Sequence, residues 1–202
     1  RSGSGGWQPV ATFDNDLPAE VRSVGFNTDA DAIIRSIRED LGLELQGKRV
    51  ALLGAGGAGR AAALRIADEQ PSELFLINRT RSKAEALADE IKSTYPQLHV
   101  ATDPPVSRLD LLVNATSLGL RTDDPLPLNS DWLRAHVPGA VYDMIYRPAQ
   151  TSLLKLAGEL NCRTANGIGM LLHQGADALQ LWTGQPAPRS IMRHALEEHI
   201  YG

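Results

Sequence analysis

The chain has 202 residues, 43% hydrophobic and 22% charged, with a net charge of −4, which suits one large α/β domain or two small ones and excludes a disordered or fibrous chain. The acidic balance excludes a nucleic-acid binder working through a basic face, since basic residues cluster only at Arg79-Thr80-Arg81-Ser82-Lys83. A single cysteine, Cys162, excludes an internal disulfide and a cysteine-rich metal site and fits a reducing, cytoplasmic setting, and no apolar run nears the roughly 20 residues that span a bilayer.

Residues 1–6, all Gly and Ser after Arg1 and so reading as a linker or an expression remnant, carry no secretory signal. Residues 7–28 are short apolar pieces broken by Asp14-Asn15-Asp16 and Pro18, a lead-in of hairpin or extended form. Ile33, Ile34, Ile37 and Leu41 recur at helical spacing, predicting a helix over 29–41, capped by Thr28 or Asp29 and ended by Gly42. Val50-Ala51-Leu52-Leu53 is a continuous apolar run, as in a strand buried on both faces.

From there helices and strands alternate. Helices are expected over 58–69, 82–94, 150–159, 167–181 and 189–198, and strands over 74–77, 98–100, 109–113, 140–142 and 162–164. Strands separated by helices imply parallel pairing, because each crossover returns the chain to the same edge. The expected architecture is an α/β doubly wound parallel sheet, a Rossmann-type nucleotide-binding domain over 29–184. Gln185-Pro186-Ala187-Pro188 then breaks the chain before a last helix, within 185–202, that packs on the domain.

Gly54-Ala55-Gly56-Gly57-Ala58-Gly59 fits G-x-G-x-x-G between a buried strand and a helix. The first glycine permits the turn, the second lets a pyrophosphate approach the backbone, and the third lets helix pack on sheet. Unpaired N–H groups at the helix start favour that dianion. A plain tight turn is the alternative. The second strand ends in Asn78-Arg79-Thr80 rather than in the carboxylate that accepts from the ribose 2′-hydroxyl of NAD. Arg79 can take a 2′-phosphate with its guanidinium fork, Lys83 can add charge, and Asn78 and Thr80 can add hydrogen bonds. Bases at a helix start are unfavourable without an anion nearby, so NADP(H) is expected over NAD(H), a merely solvated basic helix start being the alternative.

Gly25-Phe26-Asn27-Thr28-Asp29, the glycine loop, Asn78-Arg79-Thr80, Asn114-Ala115-Thr116-Ser117-Leu118-Gly119, Asp143-Met144-Ile145-Tyr146-Arg147-Pro148 and Asn166-Gly167-Ile168-Gly169-Met170-Leu171-Leu172-His173-Gln174-Gly175 occur in that order. The series resembles the shikimate dehydrogenases from about residue 24 to residue 184. The resemblance implies reversible hydride transfer between NADPH and the carbonyl of 3-dehydroshikimate, giving shikimate. It implies that Asp29 works at the reacting hydroxyl with a lysine of an N-terminal domain, and that Tyr146 and Gln174 contact substrate. Met144 and the Gly167 backbone would lie beside the nicotinamide, and Thr116 and Ser117 would line the cofactor.

Taken alone, Asp29 reads first as a helix cap, Asn114 to Ser117 as a strand-ending turn at a ligand edge, and Tyr146 as a half-buried aromatic. Gln174 sits on an otherwise apolar helix face and needs a partner, either a substrate hydroxyl or a backbone carbonyl. His173 is expected to be structural or at the surface, and no His, Cys, Asp or Glu arrangement has metal-ligand spacing. None of Lys48, Lys83, Lys92 and Lys155 matches the family's catalytic lysine, and the upstream asparagine for substrate is not recognisable in 7–23. An excised domain, half of a split enzyme and a degenerate homologue all fit. The expectation is a chain that binds NADP(H) and has little or no activity alone. A non-catalytic NADP-binding module and a quinate- or aminoshikimate-type dehydrogenase remain as alternatives.

Overall fold

A computed structural model describes residues 28–202; the linker of 1–6 and the lead-in expected before Thr28 lie outside the described residues. In chain order the elements are α1 (Thr28–Leu41), β1 (Arg49–Leu53), α2 (Gly57–Asp68), β2 (Glu73–Ile77), α3 (Arg81–Thr94), β3 (His99–Ala101), β4 (Leu111–Asn114), α4 (Ser130–Ala135), β5 (Ala140–Asp143), α5 (Ser152–Glu159), β6 (Arg163–Asn166), α6 (Ile168–Thr183) and α7 (Arg189–Tyr201). The six strands form one sheet in the order β3-β2-β1-β4-β5-β6, parallel throughout. This is the doubly wound Rossmann order.

Strand periodicity sorts the core into two layers. Val50, Leu52, Leu74, Leu76, Leu111, Val113 and Tyr142 point to one face, where α1, α2 and α3 pack Ile33, Ile37, Ile66, Leu87 and Ile91 onto them. Ala51, Leu53, Phe75, Leu112 and Val141 point to the other, covered by Leu133 of α4 and by Leu153, Leu154, Leu156 and Ala157 of α5. Each fully buried aliphatic side chain contributes roughly 1.5–3 kcal/mol.

α6 is laid against α1 at close range. A Cβ on Gly169 would overlap the Asp40 carboxylate and the Ser36 hydroxyl. The same junction holds a buried chain of hydrogen bonds in which Tyr142 Oη donates to Ser36 Oγ at 2.9 Å and Ser36 Oγ donates to Asp40 Oδ2 at 2.7 Å. Arg35 pairs with Asp177 across the two helices at 3.0 Å.

The structure departs from the sequence reading at several points. Helix α4 was not expected: its six residues bury only Leu133, too little for a periodic signal, and its start is set by Asn129, whose side chain accepts from the Asp131 and Trp132 N–H groups. Thr28 and Asp29 lie within α1 rather than at its cap. There the Asp29 charge complements the helix dipole. β4 begins at Leu111 rather than Leu109. β6 follows Cys162 instead of containing it, and Cys162 packs half-buried against the second core layer. Among the described residues no helix is long and apolar enough to cross a membrane, and no group of three or more His, Cys, Asp or Glu could hold a metal ion.

Candidate active site

The strand order reverses direction between β1 and β4, and the loops leaving their carboxyl ends part there to form a crevice. Gly54 closes β1 with φ of 104°, and a Cβ at that position would meet the Ala115 carbonyl oxygen at 2.9 Å. A glycine is therefore required both by the left-handed backbone and by the neighbouring loop. Gly59, one turn into α2, faces the Gly54 carbonyl so closely that a Cβ would overlap it. Gly56 and Gly57 differ: both are exposed, and a Cβ on either would meet nothing within 4 Å. The loop thus has two glycines consumed by packing and two bordering an open trough. At the head of the trough α2 begins with neither a side-chain cap nor an acidic residue in its first turn, so its N–H groups are free for an anion.

Asn78 is engaged within the protein itself. Its Oδ1 accepts from the Ala55 N–H at 3.0 Å and its Nδ2 donates to the Thr80 carbonyl at 2.8 Å, so the side chain ties the glycine loop to the end of β2. Of the bases that follow, Arg81 is held by Glu85 at 2.8 Å and Asp103 at 2.9 Å. Arg79 and Lys83 are exposed and have no carboxylate partner among the described residues. Thr80 occupies the cap position of α3 without a side-chain hydrogen bond to it, and no acid lies in the first turn. Two unpaired cations at the positive end of a helix dipole leave a local demand for an anion.

Across the crevice a cleft of about 400 Å³ is lined by Asp29, Ala58, Ala115, Thr116, Met144, Ile145, Tyr146, Gly167, Met170, Leu171 and Gln174. Seven positions singled out in the sequence meet here: Asp29, Ala58, Thr116, Met144, Tyr146, Gly167 and Gln174. Ser117 is exposed on the same loop as Thr116 but does not line the cleft. Gly167 has to be glycine because a Cβ would overlap the Met144 carbonyl. That close approach seats the start of α6 on the loop after β5. Gln174 Nε2 donates weakly to Leu171 within its own helix at 3.3 Å, so its amide oxygen is available to the cleft. Apolar walls from Ile145, Met170 and Leu171 suit a flat ring, while the Asp29, Tyr146 and Gln174 groups suit hydroxyls.

Sequence reasoning missed the support beneath this cleft. Asn114, Asp143 and Thr151 are buried polar residues at the carboxyl ends of β4 and β5 and at the cap of α5. Burial holds the Asp143 carboxyl above the usual carboxylate range, against the opposing pull of the Thr151 hydroxyl, the Ile145 N–H and the Asn114 amide. The available signal was a polar residue directly ending an apolar strand, in Val113-Asn114 and Tyr142-Asp143. His173 is not at the surface: it is 1% exposed, buried in the α1–α6 seam with Nε2 3.1 Å from the Glu39 carboxylate. Burial lowers its proton affinity more than Glu39 raises it.

Comparison with known proteins matches residues 36–120 to the family model described as Shikimate / quinate 5-dehydrogenase and residues 167–197 to the one described as Shikimate 5'-dehydrogenase C-terminal domain. A curated shikimate dehydrogenase (NADP(+)) of Methanopyrus kandleri is 37% identical, covering 87% of this chain and 63% of that protein. Its counterpart in Natronomonas pharaonis is 39% identical, covering 92% and 68%. Among solved structures, a crystal structure of shikimate dehydrogenase in complex with NADP+ aligns with a TM-score of 0.76 at 32% identity, over 88% of this chain and 63% of the other. The chain thus spans 63–68% of the length of these relatives.

Proposed function

The chain belongs to the shikimate dehydrogenase family, and we propose that it forms the NADP(H)-binding part of an oxidoreductase that interconverts 3-dehydroshikimate and shikimate. The observation that carries the cofactor choice is the unpaired Arg79–Lys83 couple at the start of α3, next to an Arg81 whose charge is already spent on Glu85 and Asp103. A 2′-phosphate there satisfies both cations and the helix dipole; a 2′-hydroxyl does not. The trough bordered by Gly56 and Gly57 fits the pyrophosphate.

When bound, the nucleotide supplies a hydride donor or acceptor at the nicotinamide ring. The chain itself orients and shields. Met144, Ile145 and the Gly167 backbone form the wall against which the ring would rest, and Thr116 closes the side nearest the glycine loop. Asp29, Tyr146 and Gln174 line the same cleft, Asp29 at its exposed mouth, and would face the reacting hydroxyl and its neighbours on the substrate ring. Carbonyl reduction also needs a proton donor and a positive charge at the developing alkoxide. None of Lys48, Lys83, Lys92 and Lys155 lines the cleft. The resemblance to the shikimate dehydrogenases implies that the proton-transfer lysine stands on an N-terminal domain, outside the part of the relatives that this chain covers. The 202-residue chain should bind NADPH tightly and NADH weakly, and should show little or no turnover of shikimate with NADP+ on its own.

Two measurements test this. Calorimetric titration with NADPH and NADH reads the cofactor preference, and equal affinities would remove the cofactor argument. A spectrophotometric assay with shikimate and NADP+ reads activity, and substantial turnover by this chain alone would refute the division of labour. Because one matching family model is described for shikimate and quinate together, the assay on the completed enzyme should include quinate.

A further inference from the structure

Asn114 and Asp143 are fully buried, 0% exposed, and are register partners at the last positions of β4 and β5. Apolar side chains there would avoid a desolvation cost that polar groups recover only through hydrogen bonds. The bonds they make are directed almost wholly at loops. Asn114 Oδ1 accepts from the Thr116 N–H at 3.1 Å and the Thr116 hydroxyl at 2.8 Å. Asn114 Nδ2 donates to Asp143 Oδ1 at 3.0 Å and to the Leu118 carbonyl at 3.3 Å. Asp143 Oδ1 also accepts from the Ile145 N–H at 3.1 Å, and Oδ2 accepts from the Thr151 hydroxyl at 2.7 Å. Thr151 Oγ1 in turn accepts from the Leu154 N–H at 3.3 Å, so the start of α5 is tied in as well.

The network joins the loops that leave two paired strands, beyond the last backbone bond of that ladder, from the Met144 N–H to the Asn114 carbonyl at 2.9 Å. One carries Thr116; the other carries Met144, Ile145 and Tyr146. Both line the cleft. Their contact is tight, since a Cβ on Gly119 would lie 3.3 Å from atoms of both Ile145 and Thr151. On the NADP(H) reading the adenosine end falls to Arg79 and to Asn78, whose side chain bonds the Ala55 N–H and the Thr80 carbonyl rather than this network, while the glycine loop lies between, with Gly54 against Ala115 and Thr116.

We propose that Asn114, Asp143 and Thr151 are positioning residues which hold the Thr116 loop and the Met144–Tyr146 loop at a fixed separation around the nicotinamide half of the cofactor, independently of the adenosine half. The inference rests on the NADP(H) reading. It separates the network from a purely structural strut, which would support both halves of the nucleotide alike.

The test uses the 202-residue chain and its Asp143→Asn, Thr151→Val and Thr151→Ser variants, with two probes. 2′,5′-ADP carries the adenosine end and the 2′-phosphate without nicotinamide; NADPH carries both and reports ring immobilisation through its own fluorescence. Wild type should bind both probes, NADPH more tightly, with enhanced nicotinamide emission. Asp143→Asn and Thr151→Val should lose at least threefold of the NADPH advantage and most of the emission enhancement, while 2′,5′-ADP affinity stays within twofold. Thr151→Ser, which restores the hydroxyl, should recover both signals. Parallel loss of the two probes, or retention of the NADPH signals in Thr151→Val, would overturn the proposal. So would wild-type NADPH binding without an emission change. If wild type binds neither probe, the NADP(H) reading itself fails.

Discussion

Replacing Arg79 by alanine tests the feature proposed to set cofactor preference. The guanidinium is exposed and has no carboxylate partner among the described residues, so its removal breaks no ion pair in the free protein and should leave stability unchanged. A hydrogen bond to a charged group contributes about 1.5–3 kcal/mol. Solvent exposure of Arg79 places the expected loss at the low end, about 1.5–2 kcal/mol, or roughly 10- to 30-fold in NADPH affinity. Stacking of the guanidinium on adenine is common to both nucleotides and costs each about two- to fivefold. The diagnostic quantity is therefore the ratio of NADPH to NADH affinity by calorimetry, which should fall about tenfold. It should also become less sensitive to salt, because one exposed cation–phosphate contact is gone. Arg81→Ala is the control: its charge is held by Glu85 and Asp103, and the ratio should not move. Equal losses of NADPH and NADH in Arg79→Ala, or a larger change in ratio from Arg81→Ala, would refute the reasoning.

Three further outcomes are expected. Gly59→Ala should destabilise the fold by about 1–3 kcal/mol in denaturant titration through overpacking against the Gly54 carbonyl, whereas Gly56→Ala should unfold like wild type and lose nucleotide binding, its Cβ projecting into the open trough. Gly167→Ala should push the start of α6 off the Met144 carbonyl and weaken NADPH more than 2′,5′-ADP; unchanged affinity for both would show that the approach is not needed. For His173 burial lowers the folded pKa, so the neutral ring is the folded form. Its contribution to stability is present above the unfolded value of about 6.5 and is lost as pH falls through the lowered folded value. Wild-type melting temperature should drop between pH 7 and pH 5, and His173→Leu should flatten that dependence; an identical slope in the variant would assign it elsewhere.

Much of this protein is written locally. The apolar runs at 50–53 and 74–77 and the helical spacing of Ile33, Ile34 and Ile37 each report their own burial, because side-chain direction repeats every two residues in a strand and every 3.6 in a helix. The glycine loop is equally local: strand, tight turn and helix start are contiguous. What periodicity does not contain is which strand lies beside which. That placed β4 next to β1, brought Ala115 against Gly54 and opened the crevice there.

The same limit explains the misplaced residues. Asn78 reads as an available amide until packing of β1 beside β2 puts the Ala55 N–H on its oxygen. His173 reads as either structural or superficial, and the cover of α1 makes it the former. Asn114 and Asp143 read as strand ends until parallel register makes them partners. Local sequence determined most of the elements, though not α4, together with the glycine loop and the basic start of α3, since those depend on neighbours along the chain. Tertiary structure alone decided the cleft, its polar support and the distribution of the charges, because each depends on groups far apart in sequence meeting in a desolvated space.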